Sequence, residues 1–474
     1  MMKYEIWTKA MEEISDRHIV EAAKIQKKRR RPLWLGLTAA AAVAAIVLGV
    51  VLWPGGSPLV PTVQAVSQAE YPASAPYPDE SSDAAGASYE AWYQDQAARR
   101  EWSKQCNQTL DSFLSSTIPQ FLAGQTEENR VYSPLSLYMA LAMLAELTDG
   151  NSRQQVLDLL DVPDLETLRT RATALWQSHY MNDGATTCIL ASSLWLNQDV
   201  TFVQSTLDTL SKTYYASTYQ GKMGSKETNQ ALRSWINEQT GGLLQEQAEG
   251  LELSAETVLA LATTVYFRAK WASEFSPSAT EPGLFHGLSQ DITCDFMKSS
   301  STQRYCRGEA FSAVYQPLEG GGGMWLLLPD AGSTPEDLLS SGEAVRFLLT
   351  QDTWEDSQYL TVHLRMPKFD VASDLDLSQG LQSLGVTDVF DSHVSDFTPT
   401  TTQTEELYIS QANHAARVMV DEEGCTAASY TVLAVEGAGM PPEEEVDFTL
   451  DRPFLFVITG EDGLPLFVGT VYEP

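Results

Sequence analysis

From about residue 103 onward, apolar and polar positions follow two distinct periods. In SPLSLYMALAMLAELTDG, Leu137, Leu141, Met143 and Leu144 recur at three- and four-residue spacings, which predicts a helix closed by Gly150. NSRQQVLDLL keeps the helical period, and ETNQALRSWINEQTGG predicts another helix stopped by glycine. TCILASSLWL, VLALATTVYF, GMWLLLP, YLTVHLRMPKF, FLFVITG and FVGTVYEP are short runs that read as strands. Helices dominate early and strands late, without regular strand–helix alternation. That order predicts an α+β domain with antiparallel or mixed sheets.

The first hundred positions carry a different pattern. Residues 33–53 (LWLGLTAAAAVAAIVLGVVLW) are 21 positions without a charge, enough to span a bilayer as a helix. KKRRR at 27–31 precedes them and no comparable basic cluster follows. The expected arrangement is a cytoplasmic basic segment over 1–32, an uncleaved transmembrane helix over 33–53, and everything later outside the cell. A cleaved signal peptide fits less well, because the apolar run is long and WPGG is not a cleavage site. Ile6, Trp7, Met11 and Ile14 share a face of a short juxtamembrane helix. Residues 54–102 are rich in Pro, Ser, Ala and Tyr, with too few branched apolar residues for a core. They read as a low-complexity, disordered stalk.

Charge and chemistry narrow the function. The formal net charge is −33, and nine Lys/Arg against five Asp/Glu over 1–32 leave about −37 for the remainder. Such acidity argues against nucleic acid, whose binding rests on neutralising phosphates. Five scattered cysteines (Cys106, Cys188, Cys294, Cys306, Cys425) form no CxxC pair, which suggests buried free thiols rather than a disulfide framework. One pair remains open in an oxidising exterior, and the sequence does not select it. There is no G-x-S-x-G, H-E-x-x-H or G-x-x-x-x-G-K-[ST], and six dispersed histidines nominate no base. Nothing indicates an enzyme, a metal or a cofactor.

The C-terminal part is the most informative. DEEGCTAASYTVLAVEGAGMPPEEE begins at Asp421 and lies between LYISQANHAARVMV and FTLDRPFLFVITGEDGLPLFVGTVYEP. Together these resemble the end of serpins, in which an E-E-G hinge leads into an exposed reactive loop. Phe448, Asp451, Arg452, Pro453 and Phe454 match the signature that follows that loop. VYSPLSLYMALAMLAELTDGNSRQQVLDLL, SWINEQTGG, VYFRAKWASEF, GMWLLLP, MPKF and LQSLGVTDVF are similar to further family segments, in order. The resemblance covers 103–474. It implies a serpin fold of about three β-sheets with a large central sheet, eight to nine helices and an exposed loop.

The resemblance also implies a mechanism and a set of residues. The hinge falls on Glu422, Glu423, Gly424, Cys425, Thr426, Ala427, Ala428 and Ser429. The family's counting places the reactive bond at Ala438–Gly439, with Val435, Glu436 and Met440 as alternatives. Ser133, Ser136, Thr263 and His414 fall on the region where the central sheet parts, Thr263 standing where the family usually has Asn. Trp271 falls at the top of that sheet. Cleavage would let the loop enter the sheet as a new strand with the protease attached, making this a suicide-substrate serine endopeptidase inhibitor. The residues agree with insertion. Cys425, Ala427, Ser429, Thr431, Leu433 and Val435, one face of an extended strand, are all small or apolar. The opposite set holds the bulky Tyr430 and the charged Glu436. Residues 425–438 number fourteen and would extend about 45 Å at ~3.3 Å each.

A small side chain at the reactive position suits elastase- or subtilisin-like targets. No Lys or Arg occurs between Gly424 and Pro442, which disfavours a trypsin-like one. The expected partners are that protease and a membrane, for a monomeric, bacterial-type surface protein. Two other functions are expected to differ in outcome: a non-inhibitory surface scaffold would be cleaved without trapping, and a papain-like cysteine protease inhibitor would act only on those enzymes.

Overall fold

The computed structural model describes residues 63–78, 85–103, 110–124, 128–401, 403, 406–425 and 444–474. Its chain order opens with strand β1 (Val63–Ser67) and helices α1 (Ala85–Ser103) and α2 (Asp111–Leu122). Then come β2 (Arg130–Tyr132), α3 (Pro134–Leu147), α4 (Gly150–Leu159), α5 (Leu165–His179), β3 (Met181–Asn182) and β4 (Thr187–Asn197). Next are α6 (Gln204–Thr213), β5 (Ala216–Gly221), α7 (Lys226–Gln239), α8 (Gln245–Glu249) and β6 (Leu259–Lys270). The strands β7 (Glu281–His286), β8 (Asp291–Arg307), β9 (Phe311–Pro317) and β10 (Gly323–Pro329) follow. After α9 (Pro335–Ser340) and α10 (Glu343–Thr350) come β11 (Ser357–Pro367), β12 (Phe369–Asp376) and α11 (Ser378–Ser383). The chain closes with β13 (Asn413–Val420), β14 (Gly424–Cys425), β15 (Glu445–Thr449), β16 (Phe454–Thr459) and β17 (Pro465–Val471).

The strands form an eight-stranded sheet, β1-β5-β4-β6-β14-β13-β12 with β3 beside β4, and a nine-stranded sheet, β15-β11-β8-β9-β10-β16-β17-β2 with β7 beside β8. Where three sheets were expected, the described strands form two networks. The reason is β8: its 17 residues pair with β7, β11 and β9 in succession and join what would be two separate layers. Both sheets are mixed, since β4 pairs parallel with β5 and β11 pairs parallel with β15.

Eleven α-helices occur among the described residues, more than the eight to nine expected. Several are single short turns, and α1 lies in the expected stalk. The helix α3 starts as its sequence suggests, with Ser133 at the N-cap accepting from Ser136 N and Pro134 in the first turn. It ends earlier than expected, at Leu147, where Thr148 donates to Leu144 O. Gly150, expected to close α3, instead opens α4 behind an Asp149 cap. Every α3 residue except Ala140 is buried, so this helix is the axis of the core. Gly241 and Gly242 do stop α7, both at positive φ.

The stalk reading requires a correction. Residues 62–474 form one compact unit, and two described parts of the expected stalk belong to it. β1 adds to the edge of the eight-stranded sheet, with Val63 opposite Gly221 and Ala65 opposite Tyr219. Tyr71 packs among Trp176, Tyr180 and Tyr215, ring centroids 5.3–6.4 Å away. Trp92 Nε1 donates to Asp183 Oδ2 at 2.9 Å. Arg99 donates to Asp95, to Ser74 Oγ and to Gln177 O, and Arg100 pairs with Glu461 at 2.6 Å. The segment has too few apolar residues for a core of its own, but a handful of rings and guanidinium groups suffice to dock it on a core already built.

Among the described residues no helix is long and apolar enough to cross a membrane; the run expected to do so, 33–53, and the segment 1–32 lie outside them. Cys188, Cys306 and Cys425 are buried free thiols and Cys294 is a half-buried one.

Candidate functional site: the hinge and the parted sheet

The eight-stranded sheet has an interruption at its centre. Among the described residues, no ladder joins β6 directly to β13. They are connected only through the two residues of β14, where Gly424 lies opposite Lys270, and Cys425 lies opposite Ala269 on one side and Val420 on the other. Residues 259–268 of β6 and most of β13 therefore face each other across a seam with no described strand between them. β14 is the first step of a strand in that seam.

The base of this step is held closely. Trp271 N donates to Glu423 O at 3.0 Å, Trp271 Nε1 to Asp421 O at 2.9 Å, and Phe275 N to Glu422 O at 2.9 Å. Three successive carbonyls are thus satisfied by one short segment after β6. Asp421 Oδ1 accepts from Glu423 N and Gly424 N, and Asp421 N donates to Gly424 O, which fixes the turn between β13 and β14. The Glu422 carboxylate accepts from Lys368 Nζ and Thr280 Oγ1, both at 2.9 Å. Partial burial alone would raise its pKa, but hydrogen bonds from Lys368, the backbone and Thr280 hold it below the usual carboxylate range.

Gly424 is required by space. A Cβ there would lie 2.2 Å from Ala269 O and 2.7 Å from Lys270 Cα. Cys425 is 1% exposed and belongs to the main core, so the face expected to point inward does so at its first member. Burial pushes the Cys425 thiol strongly up, which keeps it protonated and shields it from the oxidation that thiolates undergo.

The four residues expected where the sheet parts come together. Ser133 N donates to His414 Nε2 at 3.1 Å, Ser136 N donates to Ser133 Oγ, and the Ser136 and Thr263 hydroxyls lie 3.2 Å apart. Thr263 on β6 and His414 on β13 thus hang from the first turn of α3, one from each side of the seam. Burial alone lowers the His414 pKa to about 4, so it stands neutral, with Nε2 accepting. Thr263 Oγ1 also donates to Ser136 O at 3.5 Å, and among the described residues no direct Thr263–His414 hydrogen bond occurs.

The signature residues carry the chain from the nine-stranded sheet's edge to its middle. Phe448 is buried edge-on to Tyr305. Asp451 O accepts from His286 N, and the Arg452 guanidinium pairs with Asp451 and donates to Pro329 O. Pro453 is buried before Phe454, which meets Phe285 and Phe369.

Thr426, Ala427, Ala428 and Ser429 of the hinge, and the expected bond Ala438–Gly439, lie outside the described residues. The sequence reading missed Asp421, Thr280, Phe275 and Lys368. The acidic residue one position before the hinge was a usable signal for Asp421; Lys368, 54 positions away from Glu422, gave none. It also missed His179, a buried imidazole 3.2 Å from Asp462. Burial would depress that ring's pKa, but the Asp462 charge and hydrogen bond raise it.

A sequence model described as "Serpin (serine protease inhibitor)" matches residues 108–474, and the chain belongs to the serpin family. The family is one of protease inhibitors rather than enzymes, and some serpins are non-inhibitory. Serpin-ZX of Arabidopsis thaliana is 27% identical over 78% of this chain and 97% of its own. Alpha-1-antiproteinase of Rattus norvegicus is 26% identical over 78% of this chain and 90% of its own. Among solved structures, an Arabidopsis serpin in its native stressed conformation superposes with a TM-score of 0.67 at 26% identity, covering 79% of this chain and 98% of that one. The thermophilic serpin tengpin in its native state gives 0.68 at 23% identity over 77% and 93%, a likeness of fold. The match begins at 108, so β1 and α1 precede it.

Proposed function

We infer that this chain traps elastase- or subtilisin-like serine endopeptidases as a suicide substrate, with the bond between Ala438 and Gly439 as bait. The observation that carries the reading is β14, the seated start of a strand between β6 and β13. It runs antiparallel to β6, with Cys425 at Ala269. Continuing that register one residue for one brings Val435 level with Leu259, the first residue of β6, and Ala438 three residues beyond. A fully entered loop thus fills the seam end to end and delivers its cleaved terminus to the far pole of the sheet. Each backbone group along the seam would gain a ladder partner, and the core-facing set continues from Cys425 through small and apolar residues.

The run at 33–53 is read as an anchor that leaves 1–32 in the cytoplasm and holds the inhibitor outside the cell. A bacterial surface is the reading of that architecture alone. The family and its inhibitory members support the protease partner; the small bait residue supports the target class.

The test mixes the full chain with subtilisin and pancreatic elastase, resolves the products on denaturing gels, and weighs the released C-terminal fragment. A covalent complex with a fragment beginning at Gly439 is expected. Complete cleavage with free, active protease would instead mark a non-inhibitory scaffold. Trapping of papain alone would mark a cysteine-protease inhibitor.

A further inference from the structure

A cavity of about 170 Å³ lies between α1 and the body, bounded by the end of α5, the β3–β4 hairpin and the β9–β10 and β16–β17 turns. Its lining is divided by chemistry. Met181, Cys188, Phe267 and Leu466, all buried, form an apolar side, with Cys188 and Phe267 directly opposed across β4 and β6. Gln96, Arg99 and Ser103 of α1 form a polar side. None of these residues belongs to the hinge or to the cluster around the seam. α1 also precedes residue 108, where the serpin match begins, so the polar side is this chain's own addition to the fold.

The charges around the cavity are already matched. Arg99 Nε meets Asp95 at 3.0 Å, Arg100 meets Glu461 at 2.6 Å, and His179 meets Asp462 at 3.2 Å. An ion entering would lose its water without gaining an opposite charge, which is costly. A neutral occupant loses much less. The hydrogen-bonding groups, by contrast, are not matched. Gln96 is 1% exposed, yet its Oε1 accepts no hydrogen bond and its Nε2 reaches only Met181 Sδ at 3.9 Å. A buried amide in this state is destabilising until a partner reaches it. Arg99 is buried too, donating from Nε to Asp95, from Nη1 to Gln177 O and from Nη2 to Ser74 Oγ. A guanidinium carries one N–H on Nε and a pair on each Nη, so each Nη keeps a second donor.

We propose that this cavity binds a small neutral molecule in which a single ring carries an amide or lactam. The ring lies against Phe267 and Leu466. Its N–H donates to Gln96 Oε1, turned inward about the soft last torsion of that side chain, and its carbonyl accepts from the spare donors of Arg99. Size agrees, since an apolar cavity of about 150 Å³ holds a benzene ring. An amide presents a donor and an acceptor side by side without a charge. A carboxylate brings charge and no donor, an ammonium brings charge and no acceptor, and a hydrocarbon brings neither. The site rests on neither the trapping nor the anchoring proposed above.

The experiment labels the methionine methyl groups of the full chain with 13C in detergent and follows the Met181 signal, assigned by its loss in Met181→Leu. Benzamide, benzoate, benzylamine and toluene are titrated separately. Benzamide should shift the Met181 methyl saturably, with a dissociation constant at least tenfold below those of the other three, a ratio that two net hydrogen bonds provide. Gln96→Leu removes only the ill-partnered amide, and Arg99→Lys keeps the charge facing Asp95. Each should weaken benzamide at least fivefold and leave toluene unchanged. No saturable shift of Met181, a preference for benzamide below tenfold, or less than fivefold weakening in the folded variants would each overturn the proposal. The wild-type titration decides the matter by itself where a variant does not fold.

Discussion

Gly424→Ala gives a sharp test of the seated hinge. The added methyl carbon would sit 2.2 Å from Ala269 O, 2.7 Å from Lys270 Cα and 3.1 Å from Ala269 C. All three obstacles are backbone of β6, so no flexible side chain can swing aside. To reach an ordinary contact the hinge must withdraw by about 1 Å, which loosens the Cys425 pairings with Ala269 and Val420. Overpacking of this kind costs about 1–3 kcal/mol. On the proposed mechanism, trapping is a race between insertion and release of the protease. If insertion begins by seating these two residues, its barrier rises by up to that amount, slowing it about 5- to 150-fold. The proposed bait bond, Ala438–Gly439, is fourteen positions after Gly424 in sequence, so cleavage itself should be unaffected. The assay titrates subtilisin with wild type and variant, measuring moles of inhibitor consumed per mole of enzyme and the complex on denaturing gels. The expected result is an unchanged cleavage rate with at least fivefold more cleaved, untrapped inhibitor. An unchanged stoichiometry would show that the hinge is not seated between β6 and β13 when the race is decided, and the reasoning from β14 would fail.

Other outcomes follow from the same geometry. His414 is held neutral, with a pKa of about 4 against about 6.5 in an unfolded chain. The folded state therefore binds fewer protons, and this stabilisation is intact above about pH 6.5 and lost as pH falls toward 4, by about 3 kcal/mol at most. Melting temperature should drop over that window in wild type and drop less in His414→Gln; parallel curves would refute the assignment. Glu422→Gln removes the charge facing Lys368 at 2.9 Å. Because Lys368 is substantially exposed, the loss should be only about 1 kcal/mol, seen as a small fall in denaturation midpoint that Lys368→Gln does not deepen. Tyr71→Ala should cost about 2 kcal/mol in packing and open residues 63–78 to limited proteolysis; continued protection would place the docking elsewhere. Cleavage of the loop by a protease that is not trapped should raise the melting temperature well above that of intact chain, as differential scanning calorimetry would record.

Much of the fold could be read from residue order because each element carried its own signal. The β4, β6, β10 and β16 runs are long and apolar, and α3 combines Ser133, Pro134 and a helical period. The parted-sheet cluster was legible only through resemblance. Nothing in local pattern links Ser133 to His414 across 281 positions, yet they meet at 3.1 Å. The expected stalk failed for the opposite reason. Its composition is poor in branched apolar residues, but folding needs only that a neighbour supply the core. Tyr71 uses rings that belong to α5 and β5's approach, and Trp92, Gln96, Arg99 and Ser103 recur at helical spacing on the face of α1 turned toward the body. That period was present and was outweighed by the surrounding Pro, Ser and Ala. Asp421 and Lys368 were missed because a turn and a distant ion pair leave no periodic trace.

The unbroken run of β8 through both halves of the nine-stranded sheet has a mechanical result. Shear at one end of that layer must be borne by the same covalent backbone at the other, so it behaves as a stiff chassis. The parted layer beside it has a seam and is the compliant member. Deformation is thereby steered to where a new strand can use it.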